Sequence, residues 1–232
     1  MSLSTGEVRP GLTRYGYRNV IGGFFEFPTE NARRILPRHL EPVEPHHGSS
    51  IFSMMAFDFT ESEVGAYGEV VMSVIVSPLV KAGERLPKSA LYPYLVGTTT
   101  KAARDHAIGR WHLPHWMEDM DVAFEPSPGK LTARVGVGGE PVAELTVAEH
   151  SWQPVSQVYQ SFMKDDSGAY LARITMEGSQ SEHEDEVGLI KLHEHAFNAS
   201  LSISDIYERP FREQWMRDGM QTFDPLARLE GV

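Results

Sequence analysis

Between Glu69 and Val76 the side chains alternate with period two. Glu69, Val71, Ser73 and Ile75 fall on one face of an extended chain, and Val70, Met72, Val74 and Val76 on the other. Both faces are mostly apolar, so this strand is expected to be covered on both sides. Ile51 to Phe59, with partial alternation, and Ala90 to Val96 also read as strands. A polar turn, Glu61 to Gly65, follows the first of them. Met120–Phe124, Leu131–Val137 and Val142–Val147 are three more, with Pro128-Gly129 and Gly138-Gly139 supplying the hairpin turns between them. Strands continue around Val155–Met163, Ala169–Met176 and Val187–Leu192.

Helical patterns are confined to three segments. Thr29 to Leu36 has Thr29 as N-cap and Pro37 as its stop. Thr98 to Ile108 has a threonine cap, with Ala102, Ala103 and Ala107 inside. Pro210 to Arg217 has proline in its first turn. Many strands, few helices and no linker or repeat predict one mainly-β (α+β) domain over residues 1–232, built as a closed or cone-like sheet.

Composition narrows the partners. The 232 residues are 41% hydrophobic, enough for a substantial core. A net charge of −11 argues against nucleic acid and against anionic membranes. With no cysteine, a disulfide framework, a thiolate nucleophile and cysteine-ligated metal are excluded. Met1 to Gly6 lacks the pattern of a signal peptide, and no apolar run approaches the ~18–20 residues of a membrane span, so a soluble, cytoplasmic protein is expected.

Two residues stand out for chemistry. Glu69 opens a hydrophobic strand, where a carboxylate is costly to bury. If it faces a cavity its pKa should rise, which suits a general acid or base; otherwise it marks a solvated strand end beside Tyr67 and Gly68. His115 follows Pro114 between Trp111 and Trp116, either on a rigid aromatic wall or on an exposed loop. His193-Glu194-His195 could present two metal ligands on one strand face and is the better metal candidate than His112-x-x-His115, where Pro114 prevents a helical face. Both remain weak, and no metal is assigned. His46-His47 and the run Glu182 to Glu186 read as solvated loops. Lys81, Lys88 and Lys101 lack the apolar setting that would make a Schiff-base amine. No Gly-x-Ser-x-Gly elbow is present, and Gly136-x-Gly138-Gly139 bridges two strands rather than opening a helix.

In combination, several segments resemble the acetoacetate decarboxylase superfamily. Ile35-Leu36-Pro37-Arg38-His39-Leu40-Glu41-Pro42-Val43 is similar to its early run, and Tyr67-Gly68-Glu69 to its glutamate strand. Ala90 to Phe124 is similar to its strand, helix and catalytic turn, and Leu192 to Ala196 to a late segment. The resemblance implies a β-cone or double sheet around an apolar cavity and assembly as a homo-oligomer. Glu69 matches the family glutamate. His115 stands where the Schiff-base lysine would be and Trp116 where its neighbour would be. The family arginine falls near Glu26 or Phe27, with Arg33 and Arg34 close by in sequence. Without the lysine pair, the expectation is a lyase or isomerase that needs no cofactor. It would act on a small hydrophobic or aromatic oxo compound by dehydration, hydration, enolisation or cyclisation. Catalysis would fall to His115 and Glu69, and binding to Trp111, Trp116, Tyr92 and Tyr94. The alternatives are a non-catalytic binding protein on the same scaffold, and a Schiff-base decarboxylase with a displaced lysine.

Overall fold

The computed structural model describes residues 11–231, so the expectation for Met1 to Gly6 lies outside the described residues. β1 (Thr13–Pro28), β2 (Ser49–Glu61), β3 (Tyr67–Val76) and β4 (Ser89–Thr98) form an antiparallel meander. β4 then pairs in parallel with β8 (Trp152–Asp165) over Ser89 to Leu91, and β8 pairs with β9 (Gly168–His183). β11 (Arg212–Phe223) bonds to β9 on one edge and to β1 on the other. These seven strands therefore close into a barrel, with β12 (Ala227–Leu229) added beside β9. Closure satisfies backbone groups that an open sheet would leave on its edges.

A second sheet has the order β10 (Leu189–Leu192), β7 (Glu140–Ala148), β6 (Lys130–Val137), β5 (Asp121–Ser127). Its hairpins follow turn chemistry: Gly129 has φ 69° after Pro128, and Gly138 and Gly139 have φ 57° and 89°. Leu131, Ala133, Val135, Leu145 and Val147 of this sheet share a core with Ile21, Phe52, Met54, Val70 and Met72 of the barrel wall. The opposite residues of those barrel strands point inward, where Tyr15, Met55, Phe57, Tyr67, Met163 and Ile174 form a separate core. The two-sided apolar pattern of β3 is thus used on both sides.

Three expectations need correction. Arg212 to Phe223 is a strand rather than a helix over Pro210–Arg217, because it is paired along both edges and that pairing overrides local preference. The second helix, α2 (Lys101–Trp111), starts later than Thr98, since Gly97 and Thr98 are still paired with β3; Thr100 is the cap, accepting the Ala103 N–H at 3.2 Å. The first helix, α1 (Thr29–Ile35), has no side-chain cap; Thr29 Oγ1 bonds Ser50 Oγ at 2.9 Å instead.

Where β11 meets β9 the register slips between Arg217 and Met220. There Tyr17 crosses the gap and its phenol donates to the Glu177 carbonyl at 2.8 Å. A Cβ on Gly219 would overlap both that carbonyl oxygen and the Tyr17 ring. Gly219→Ala is expected to cost about 1–3 kcal/mol as an overpacked site, read as a lower Tm; an unchanged Tm would mean the strands can part there.

Candidate active site

Barrel closure leaves a space of about 60 Å³ beneath α2. Apolar side chains dominate its walls, among them Phe57, Val71, Trp111, Met163, Ile174 and Phe223. Four polar residues interrupt them: Glu69, Ser73, Ser161 and Gln221. Among the described residues no lysine, arginine or histidine lines this cavity. Glu69 reaches it because it alternates with Val71 and Ser73 on the inner face of β3.

Glu69 is a carboxyl held without a cation. Loss of water around it pushes its pKa up to about 8, and a hydrogen bond from the Tyr67 phenol pulls only partly the other way. The same burial raises the Tyr67 phenol, with the Glu69 charge adding to the effect. At neutral pH the carboxyl is therefore mainly the neutral acid, and a small rise in pH turns it into a base.

α2 closes the mouth. Ala103 and Ala107 let the helix sit close to the barrel, and Trp111 ends it with its ring 4.4 Å from that of Phe223. His112 stops the helix in the left-handed region, φ 54°. The chain then runs beside β4: Val96 donates to the Pro114 carbonyl at 3.0 Å and Trp116 to the Val96 carbonyl at 2.8 Å. This turn sends Leu113 into the cavity and Trp116 to the outer core, where its ring lies 5.8 Å from Phe197.

The sequence-chosen residues are accordingly divided. Glu69 and Trp111 share the cavity. Tyr92 and Tyr94 lie on the outer face with Trp116, because it is Leu91, Pro93 and Val96 that point inward. His115 is half-buried and outside the lining. Its Nδ1–H donates to the Trp116 carbonyl at 2.6 Å, and its Nε2 is enclosed with no partner. Burial lowers its pKa, the Trp116 carbonyl opposes this, and the Arg104 charge adds to the lowering. Arg33 pairs with Glu41 at 2.9 Å and Arg34 bonds Asn31, so neither is in the cavity.

The metal candidates do not converge. His112 Nδ1 lies 2.6 Å from Asp165, and its ring stacks on Tyr170 with centroids 4.1 Å apart. His193 and His195 fall beyond the end of β10 rather than on one strand face. His193 Nε2 is 3.6 Å from Glu144, whereas His195 Nδ1 accepts the Phe197 N–H at 3.0 Å to cap a short 3-10 turn. Among the described residues no group of three His, Asp or Glu could hold a metal ion. His46 and His47 are exposed, and the acidic run is exposed from Glu184 to Glu186, but His183 and Glu182 belong to β9; Glu182 pairs with Lys88.

Three further polar groups at the site escaped sequence reasoning: Tyr15, His106 and Gln221. They come from β1, α2 and β11, and only barrel closure assembles them. The available signal was position: His106 neighbours Ala107 on the covered side of a helix rich in alanine. A wider groove of about 530 Å³ runs along β10 and residues 203–209, but it opens on the surface and carries no desolvated group, so the chemistry is assigned to the smaller cavity. No helix among the described residues is long and apolar enough to cross a membrane.

No known family model matches the chain, and none of the curated proteins matches it in sequence. Solved structures do match. An acetoacetate decarboxylase from Legionella pneumophila is 16% identical with a TM-score of 0.66, covering 98% of this chain and 92% of that one. An acetoacetate decarboxylase-like enzyme from Sphingomonas wittichii is 13% identical with a TM-score of 0.62, covering 97% and 95%. The enduracididine biosynthesis enzyme MppR, in complex with pyruvate, is 12% identical with a TM-score of 0.61, covering 96% and 91%. The closed barrel, its packed second sheet and these full-length matches give the chain the acetoacetate decarboxylase-like fold.

Proposed function

We propose that the barrel cavity binds a small neutral oxo compound and that Glu69 carries protons to and from its α-carbon. The observation that carries this reading is a lone carboxyl, desolvated to a pKa of about 8, on the wall of an otherwise apolar cavity. A carboxyl poised near neutrality can serve as acid or base within one cycle. An anionic substrate would bring a buried negative charge with no cation on the lining to offset it. The cavity of about 60 Å³ has the volume of roughly two waters, which selects a compact molecule over a large aromatic one. Gln221 and the Ser73 hydroxyl face the same space and can donate to the carbonyl oxygen, while the Ser161 hydroxyl donates to Met163 Sδ at 3.2 Å.

The reaction class is proton transfer α to a carbonyl, as in enolisation or dehydration. Among the described residues no lysine lines the cavity, so the reading has no Schiff base. The enzymatic nature of the structural neighbours supports chemistry over storage. His115 acts here from behind the wall, so its truncation should cost less than loss of Glu69.

The test is hydrogen exchange of butanone in D2O, followed by NMR. The expected result is exchange above the buffer rate, rising with pH through about 8 as the carboxylate forms. His115→Ala should retain the rate within roughly tenfold, below the ~10²-fold typical of a lost acid–base group. Binding without exchange would leave the scaffold as a binding protein. A borohydride-trapped adduct would restore a displaced lysine and overturn the reading.

A further inference from the structure

A narrow annex of about 20 Å³ separates Glu69 from α2. Its walls include Glu69, Tyr67, Tyr15, His106 and Gln221. A water requires about 10–15 Å³ and two to four polar partners, so the annex is sized and equipped for one water and no more. Gln221 is 5% exposed, and its Oε1 has no protein partner. A water in the annex would donate to that oxygen. The second feature is the tie between Tyr15 and the helix. The Tyr15 oxygen accepts Trp111 Nε1–H at 2.7 Å and lies 2.7 Å from His106 Nε2. With the indole occupying one lone pair, the phenolic proton can point at Nε2 while the second lone pair faces the annex. His106 is half-buried, and the charged groups that act on it are Glu63, from the β2–β3 connection, and Arg110, on its own helix.

We propose that one annex water, Tyr15 and His106 form a proton relay joining Glu69 to bulk solvent. The inference gains its purpose from the reading of Glu69 as a proton carrier, though its test needs no substrate. Outbound, the Glu69 carboxylic acid gives its proton to the water, and the water passes one of its own to the Tyr15 oxygen. Tyr15 passes its hydroxyl proton to His106 Nε2. The imidazolium then releases its Nδ1 proton to solvent. Each relay member gains one proton and loses one, so only Glu69 and the solvent change charge. Rotation of the Tyr15 hydroxyl and tautomer exchange at His106 reset the chain. Burial lowers the His106 pKa, which keeps the ring neutral and ready to accept. The relay gives the Glu69 carboxyl a defined route out, from the annex through Tyr15 to the half-buried His106 on α2.

The test follows the protonated-carboxyl stretch of Glu69 by infrared spectroscopy after a rapid pH jump across 8, with Glu69→Gln assigning the band. In Tyr15→Phe and His106→Ala the relaxation is expected to slow roughly tenfold or more, while the equilibrium midpoint stays in place. Added imidazole should restore the rate in His106→Ala and leave Tyr15→Phe slow. A merely structural role would shift the midpoint or the fold and show no rescue. Wild-type relaxation in both variants, or no rescue by imidazole, would overturn the relay. Because no ketone is present, failure of the relay and failure of the butanone exchange are separate outcomes.

Discussion

Glu69→Gln is expected to produce a chain that is more stable than the wild type above about pH 8 and slower in ketone exchange by about 10²-fold or more. The stability half follows from linkage. The folded carboxyl titrates near 8, against 4.5 for the ordinary group. Below 4.5 both states hold the proton and burial of the neutral acid carries no ionic penalty. Between 4.5 and about 8 the folded chain keeps a proton that the unfolded chain releases, so stability falls as pH rises. Above 8 the loss is complete, on the order of 5 kcal/mol at most, and smaller where cavity water reaches the carboxyl. Glutamine has the shape without the titration. Urea unfolding of both proteins from pH 5 to pH 9 should therefore give a difference that grows with pH. A flat difference would mean that Glu69 is solvated, and the acid–base assignment would go with it.

Glu213→Ala is expected to be among the most damaging single changes in the chain. Glu213 has no exposed surface, and its hydrogen bonds come from backbone donors, with His183 Nε2 3.8 Å away. Its carboxylate accepts the N–H of Ala148 at 2.7 Å, of Gly188 at 2.7 Å and of Val187 at 3.1 Å. It thereby bolts β11 of the barrel to the end of β7 and to the chain entering β10. Alanine would strand the buried donors of Ala148 and Gly188, each worth about 1–3 kcal/mol when unsatisfied, for a total of roughly 2–6 kcal/mol, while the exposed Val187 can turn to water. That is a large share of the ~5–15 kcal/mol that holds a typical domain together. Glu213→Gln should fall between, because its carbonyl oxygen can serve Val187 and Gly188 while its amide faces the Ala148 N–H. Chemical denaturation of the three proteins should rank them in that order; equal stability of Gln and wild type would show that Ala148 finds another acceptor.

The legibility of this chain follows from how far each residue's partners lie in sequence. β3 was plain because both of its neighbours come from adjacent hairpins, and its alternation is unbroken. β5 to β7 were plain because proline and glycine mark their turns. β1 gave no signal: Gly16, Gly22 and Gly23 and the polar Arg18 and Asn19 interrupt its apolar pattern, and its register shifts near Tyr17. Its glycines make sense only once Gln214 and Met55 are packed over Gly22. β11 misled for the opposite reason, since Glu213 and Gln214 look like surface residues until the barrel buries them.

The site shows the same division. Glu69 could be singled out because a charge at the start of an apolar strand demands an account. Tyr92 and Tyr94 were chosen as aromatics near the catalytic segment, but side-chain parity on β4 sends them outward. The register shift opposite Met72 and Ser73 then brings Val96 back inward. His115 stands out in sequence for its Pro114 and tryptophan neighbours and for its match to the family's lysine position, but its local geometry depends on a left-handed His112 that no pattern announces. Tyr15, His106 and Gln221 had no reason to be grouped before closure.

The seam between β1 and β11 also sets the order of events during synthesis. These strands lie far apart in sequence, so β1 cannot find its outer partner until β11 has been made. At ~5–20 residues per second that interval is on the order of 10–40 s. Throughout it the free edge of β1 presents unpaired amides and carbonyls, and the copy of β11 on a neighbouring nascent chain fits that edge as well as its own does. Quick, dilute synthesis therefore favours a barrel closed within one chain, whereas crowded polysomes favour exchange of β11 between chains.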